Sequence, residues 1–219
     1  MNALADRISH QLAQPTAAEH LRAYFDDRSD GNRFTGRHFE TLGGGGDRTG
    51  NENQFTATDL IAIEALSVSV LIETAVELIE GPGGRLAADM LRRIPTDAVL
   101  GSADATLHIR PGSPADDLWG HLTKMPGVGW VIAGKLMARK RPHLIPVYDD
   151  VVRCVLGHPD NFWLELDEAL RSHTVRNQIA ELRTAGAVPA VVSDLRIIDV
   201  ILWMSHRVEH RAGDCGANA

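Results

Sequence analysis

The stretch from Lys124 to Gly157, KMPGVGWVIAGKLMARKRPHLIPVYDDVVRCVLG, decides how this chain is read. Pro126-Gly127-Val128-Gly129 is too rich in glycine to continue a helix and marks a turn. Behind it, Val131, Ile132, Leu136 and Met137 recur at the spacing that buries one face of a helix. Lys135, Arg139, Lys140 and Arg141 crowd the end of that helix, and Pro142 stops it. Pro146-Val147-Tyr148 is an extended passage. Asp149 and Asp150 follow, where acids cap and favour the start of another helix, Val151 to Leu156. Ahead of the turn, Asp116 to Met125 supplies a first helix, so the layout is helix, Gly-x-Gly hairpin, helix.

The chemistry of such a hairpin follows from its backbone. Gly127 and Gly129 reach conformations closed to other residues and let another chain approach closely. The amides of Val128 to Val131 would then stand at a helix N-terminus, which binds an anion, a nucleic-acid phosphate being the obvious one. That contact positions a duplex without reading its sequence. Gly127, Val128, Gly129 and Trp130 are therefore candidate nucleic-acid contacts, with Lys135, Lys140 and Arg141 as cations that could face the same ligand. Trp130 would lie against the sugar–phosphate chain or else staple the two hairpin helices. A tight helix–helix turn with no ligand is the alternative for the whole motif, and a helix end whose cations answer the dipole is the alternative for the basic cluster.

These residues resemble the helix-hairpin-helix DNA glycosylase superfamily, in which a Leu-Pro-Gly-Val-Gly hairpin and its helix are followed by Pro-Val-Asp and a further helix. Met125-Pro126-Gly127-Val128-Gly129 matches the hairpin, and Pro146-Val147 matches the segment leading to the family's aspartate. The match covers roughly a sixth of the chain. Over a longer span, Phe34–Gly46, Asn53–Val68 and Gly127–Asp149 resemble an actinobacterial family of the DUF6308 kind, a likeness that implies no function.

The superfamily resemblance implies a mainly α, glycosylase-like fold and a DNA ligand. It also implies an aspartate that stabilises a cationic sugar transition state, and in bifunctional members a Schiff-base lysine two residues after the last hairpin glycine. Val131 stands at that lysine position, so lyase chemistry is not expected. Tyr148 occupies the place of the aspartate, and Asp149 comes one residue later. Such a displacement rotates a side chain by about 100° in a helix and is absorbed in an extended approach. Asp149 is thus either a re-registered catalytic carboxylate or the N-cap of the next helix. Tyr148 is either a stacking partner for a base or half-buried packing.

Composition bounds these readings. At 219 residues and 44% hydrophobic, the chain is long enough for a real core, and no apolar run approaches the ~20 residues of a membrane span. MNALADRISHQLAQ lacks the continuous apolar region of a signal peptide, and a reducing cytoplasm is the expected location. Cys154 and Cys215 make no disulfide framework, no Cys/His spacing suggests zinc, and neither metal nor cofactor is called for. The net charge of −7 argues against indiscriminate nucleic-acid binding. Between Asp117 and Asp149, however, no acid occurs while Lys124 and the basic cluster do. His121, His143 and His158 lie near the motif without partners at metal or triad spacing.

Elsewhere the pattern is helical. Ala3–Leu12 and Ala17–Asp27 read as short amphipathic helices. Ser29 to Asn53 is a long polar, Gly-rich loop in which Phe34 and Phe39 could form a short hairpin; Gly43 to Gly46 lacks phosphate-loop spacing and reads as mobile. Thr56 or Thr58 with Asp59 signals an N-cap. One helix then runs to Leu66 and another to Ile79, ended by Gly81-Pro82-Gly83-Gly84. Helices are expected over Arg85–Ile94, Phe162–Arg171, Val175–Thr184 and Ser193–His210, the last with Leu195, Ile198, Ile201 and Leu202 as its buried stripe. Trp119, Trp163 and Trp203 are expected in the core. The expected organisation is one helical domain over 1–212, or two subdomains of about 1–110 and 111–212, with a disordered tail at 213–219. Two functions stay open: a nucleic-acid-binding, glycosylase-like protein acting on a damaged or modified base, and a non-catalytic helical module that binds DNA or a protein partner.

Overall fold

The computed structural model describes residues 3–26, 34–211 and 213, and among these it contains twelve α-helices and no strand. The chain forms two compact units, Met1–Phe34 with Val147–Ala219, and Thr35–Pro146. The expected cut near residue 110 falls inside the second unit, between two helices that pack on each other. The start of the expected loop, 29–33, and the tail beyond Gly213 lie outside the described residues.

The first unit is built on its last helix. Its elements are α1 (Ala3–Leu12), α2 (Ala17–Phe25), α9 (Asp150–Val155), α10 (Phe162–Leu170), α11 (His173–Ala185) and α12 (Asp194–Arg211). α12 is packed by α1, α2, α9 and α11. Leu195 to Leu202 are consequently buried all round, a wider contact than the one stripe that periodicity suggests. Facing them are Leu4, Ile8 and Leu12 of α1, Leu21 of α2 and Ile179 of α11. Each such side chain contributes roughly 1.5–3 kcal/mol on removal from water. Among the polar exceptions, Arg196 donates to the Asp199 carboxylate and to the Tyr24 hydroxyl. Trp119, Trp163 and Trp203 are half-buried rather than core, and Trp203 meets Phe34 edge-on with ring centroids 5.8 Å apart.

The second unit holds α3 (Ala57–Glu64), α4 (Ile72–Ile79), α5 (Pro82–Arg92), α6 (Ala105–Ile109), α7 (Pro114–Leu122) and α8 (Trp130–Lys140). It starts with two 3-10 turns, Thr35–His38 and Leu42–Gly44, where a Phe34–Phe39 hairpin was expected. α5 begins three residues before Arg85. Pro82 is its first residue, where a missing amide is harmless. Gly84 is there because a Cβ would come within 2.0 Å of the Leu78 carbonyl, where α5 crosses α4. Thr56 caps α3 reciprocally with Asp59: the Thr56 amide donates to Asp59 Oδ2 at 2.9 Å and the Asp59 amide to Thr56 Oγ1 at 3.4 Å.

Candidate nucleic-acid interface

α7 and α8 pack on each other and are joined by the turn Thr123–Gly129. Ser113 caps α7, with its Oγ accepting the Asp116 amide at 3.3 Å, and Pro114 opens it. At the far end the Thr123 hydroxyl donates to the Trp119 carbonyl at 2.9 Å. The turn is fastened from α4, where Thr74 Oγ1 donates to the Pro126 carbonyl at 2.6 Å. Met125 and Val128 point inward, while Pro126, Gly127 and Gly129 are exposed.

The two glycines differ in what they permit. Gly127 has φ +74°, and a Cβ there would lie 2.6 Å from Leu71 Cδ1, so no other residue fits without strain. Gly129, the N-cap of α8, has ordinary extended dihedrals, and a Cβ there would meet nothing within 4 Å. The expectation that the Val128 amide stands open is corrected: it donates to the Met125 carbonyl at 3.1 Å, closing the turn. The side chain of Val128 is buried as well. Trp130 is half-buried at the first position of α8, and Val131 and Ile132 complete a first turn whose amides have no acceptor inside the helix.

The basic cluster is inside the protein, a second correction. Lys135, Lys140 and Arg141 are 3%, 0% and 1% exposed, and Arg139 is equally hidden. Lys135 Nζ donates to the Leu66 carbonyl at 3.0 Å, in the break between α3 and α4. Arg139 donates through Nη1 and Nη2 to the carbonyls of Phe39 and Leu42, and through Nε to Asp59 Oδ1 at 3.2 Å. Lys140 Nζ sits 2.5 Å from Asp59 Oδ2 and donates to the Gly46 and Asn51 carbonyls at 3.0 Å each. Arg141 donates to the carbonyls of Glu52 at 2.7 Å, Ile94 at 2.8 Å and Leu91 at 2.6 Å, and to Asn53 Oδ1 at 2.7 Å.

These cations therefore act as pegs on which the Gly-rich loop from Phe39 to Asn53 is hung. Gly43, Gly44 and Gly45 all take positive φ to follow that path. At Gly46 a Cβ would lie 2.3 Å from the Arg139 carbonyl. The expectation of a mobile loop gives way to one tied to α8. Desolvation pulls the Lys140 ammonium below its ordinary value, against the opposing charge of Asp59. Burial likewise lowers the Arg141 guanidinium to about 10, which leaves it charged at neutral pH.

Tyr148 and Asp149 belong to the first unit. The Tyr148 ring stacks on Phe162 with centroids 3.9 Å apart, and desolvation pushes its hydroxyl up to about 12, so it stays un-ionised near neutrality. Asp149 is the N-cap of α9, its Oδ1 accepting the Val152 amide at 3.2 Å. His121 is occupied by the Gly83 carbonyl at 2.9 Å, and His143 and His158 are exposed. The residue that sequence reasoning missed is Asp59. Its cap signal was visible, but its pairing with cations 80 residues away was not.

Taken together, the described residues form an all-helical protein of two units, one carrying two packed helices joined by a turn with a glycine at the second helix's N-cap and the other an aspartate-capped helix after Pro146-Val147. Among the described residues no helix is long and apolar enough to cross a membrane. The chain belongs to the DUF6308 family, a family of unknown function, whose model matches residues 17–206. No curated protein and no solved structure matches it significantly.

Proposed function

We propose that this protein binds nucleic acid through the turn joining α7 to α8, in the manner of a helix-hairpin-helix. The observation that carries the reading is the exposed Pro126-Gly127 and Gly129 at the start of α8, with open space where a Gly129 side chain would stand. A phosphate oxygen approaching there would meet the first-turn amides of Val131 and Ile132 and the positive end of the helix dipole. Because Lys135, Lys140 and Arg141 are committed to the interior, the contact is a light one, made by backbone with the exposed Lys124 beside it. Asp149, following Pro146-Val147, is the candidate carboxylate for base excision in a glycosylase-like reaction, and Val131 at the lyase position makes that reaction monofunctional.

Fluorescence anisotropy with a labelled duplex at several salt concentrations tests the binding half. Each phosphate neutralised contributes a slope of about −0.9 in log K against log salt, and a light contact gives a total of about −1 to −2. Gly129→Val should abolish binding while lowering the melting temperature by only a few degrees, since the position has ordinary dihedrals and room for a side chain and loses only the glycine's preference at the N-cap of α8. Salt-insensitive or absent binding by the native protein overturns the reading. For the catalytic half, duplexes carrying alkylated, deaminated or oxidised bases are incubated with native and Asp149→Asn protein and abasic sites revealed by alkali. Excision that survives the substitution, or a protein adduct trapped by borohydride, refutes it.

A second reading, a non-catalytic module that docks a protein, is favoured by one feature. Ile72, Val76 and Ile79 recur along one face of α4 and are 70%, 51% and 42% exposed, with Leu71, 53% exposed, next to Gly127. An apolar stripe of this kind is a common mark of a partner helix's seat.

A further inference from the structure

Away from the turn, one group of ligand-type side chains converges within the first unit. Cys154 of α9 and His206 and His210 of α12 bring one ligand atom each to within 4.8 Å of one another. Cys154 Sγ and His206 Nε2 are 3.1 Å apart. The two histidines are four residues apart on α12, which sets both rings on one side of the helix, with centroids 6.2 Å apart. α9 packs against that helix, and all three side chains are half-buried, reachable from solvent yet partly shielded.

We propose that Cys154, His206 and His210 form a binding site for a zinc ion. A tetrahedral zinc with Zn–S of about 2.3 Å and Zn–N of about 2.0–2.1 Å holds its ligand atoms roughly 3.5 Å apart. The Cys154–His206 pair already stands near that spacing, and rotation of the His210 side chain closes the third edge. A hydrogen bond between thiol and imidazole would account for the Cys154–His206 contact, but it does not require His210 to converge on the same point. One thiolate with two imidazoles is a set that favours zinc or copper over magnesium and calcium. On binding, the Cys154 thiol releases its proton to solvent and the thiolate sulfur donates its electron pair to the metal, with no change of oxidation state. Three protein ligands leave a fourth position for a water molecule. Spacing arguments miss the site because Cys154 and His206 come from helices 52 residues apart.

The test uses the untagged, metal-stripped full chain titrated with Co(II), a visible substitute for zinc. The expected result is a thiolate-to-cobalt charge-transfer band that saturates at one ion per chain and bleaches on adding Zn(II). Cys154→Ser should abolish the band and Cys215→Ser should leave it unchanged. His210→Ala should weaken affinity by more than the roughly 10–100-fold that loss of a ligand's hydrogen-bond partner costs. A native protein without the band overturns the proposal, as does a band that depends on Cys215 alone or an affinity indifferent to both histidines. Should Cys154→Ser fail to fold, alkylation of Cys154 in the Cys215→Ser chain decides. Zinc at 100 times its Kd should slow the reaction roughly 100-fold, and equal rates with and without zinc refute the site.

Discussion

Removing the Asp59 carboxylate is the perturbation that most directly questions the peg-and-loop arrangement. Its side chain is 2% exposed, and it faces Arg139 at 3.2 Å and Lys140 at 2.5 Å, themselves 1% and 0% exposed. Asp59→Ala therefore leaves two cations in the interior without a counter-charge, a change that typically costs about 3–5 kcal/mol. It also removes half of the capping box on α3, worth about 1 kcal/mol. The carbonyls of Phe39, Leu42, Gly46 and Asn51 still accept from these cations, so the expected total is about 3–5 kcal/mol, a large part of the ~5–15 kcal/mol by which domains are stable. At roughly 2–4 °C per kcal/mol for a chain of this size, the melting temperature should fall by ~10 °C. Urea unfolding followed by circular dichroism gives the free energy, and Thr56→Ala measures the cap alone. Adding Lys140→Met to Asp59→Ala should recover part of the loss, because a stranded charge disappears. A loss below about 1 kcal/mol for Asp59→Ala, or no recovery in the double variant, would refute the reasoning.

Two further outcomes are expected. Gly46→Ala, whose Cβ would meet the Arg139 carbonyl at 2.3 Å, should destabilise by about 3 kcal/mol, the upper end for overpacking; Gly50→Ala, at φ +94° in open space, should cost only about 1 kcal/mol, and denaturant midpoints in the reverse order contradict the loop path. Burial holds the His20 imidazole below its ordinary 6.5, with Glu19 opposing and Arg207 reinforcing the shift, so the unfolded chain takes up the proton first. Stability should then fall as pH drops below 6.5 and recover as it rises; an NMR titration of the His20 ring with a midpoint at or above 6.5 would overturn this.

The helices were legible where periodicity and punctuation agreed. Gly129 and Pro142 bracket α8 in sequence as they do in space, and the expected Ala3–Leu12 is α1 residue for residue. The errors share a cause: they fall where a residue's meaning is set by something distant in the chain. Gly-Pro-Gly-Gly at 81–84 does end α4, but the next helix, expected from Arg85, already starts at Pro82 within the run, and Gly84 serves its crossing with Leu78. Lys140 and Arg141 read as surface cations because a charge is visible in sequence and its acceptors, mostly backbone carbonyls of a loop, carry no residue-type signal. The same loop read as mobile because glycine advertises conformational freedom and hides the contacts that remove it. At the turn, sequence identified the exposed glycines but not that the Val128 amide is spent inside it.

The pegging of the loop by α8 also has a kinetic meaning. Arg139 and its acceptor at Phe39 are 100 residues apart in the chain, and Arg139 and Asp59 are 80 apart. Until those stretches meet, the last turn of α8 carries water-bound cations, and the loop has nothing to hold its run of left-handed glycines. Neither side can settle ahead of the other, and the closure entropy is spent before any charge finds its partner. Dehydration of the cluster accordingly belongs to the final descent into the native state. Lesions at Asp59 or Gly46 should leave the refolding arm of a chevron almost untouched and raise the rate at which the finished protein comes apart.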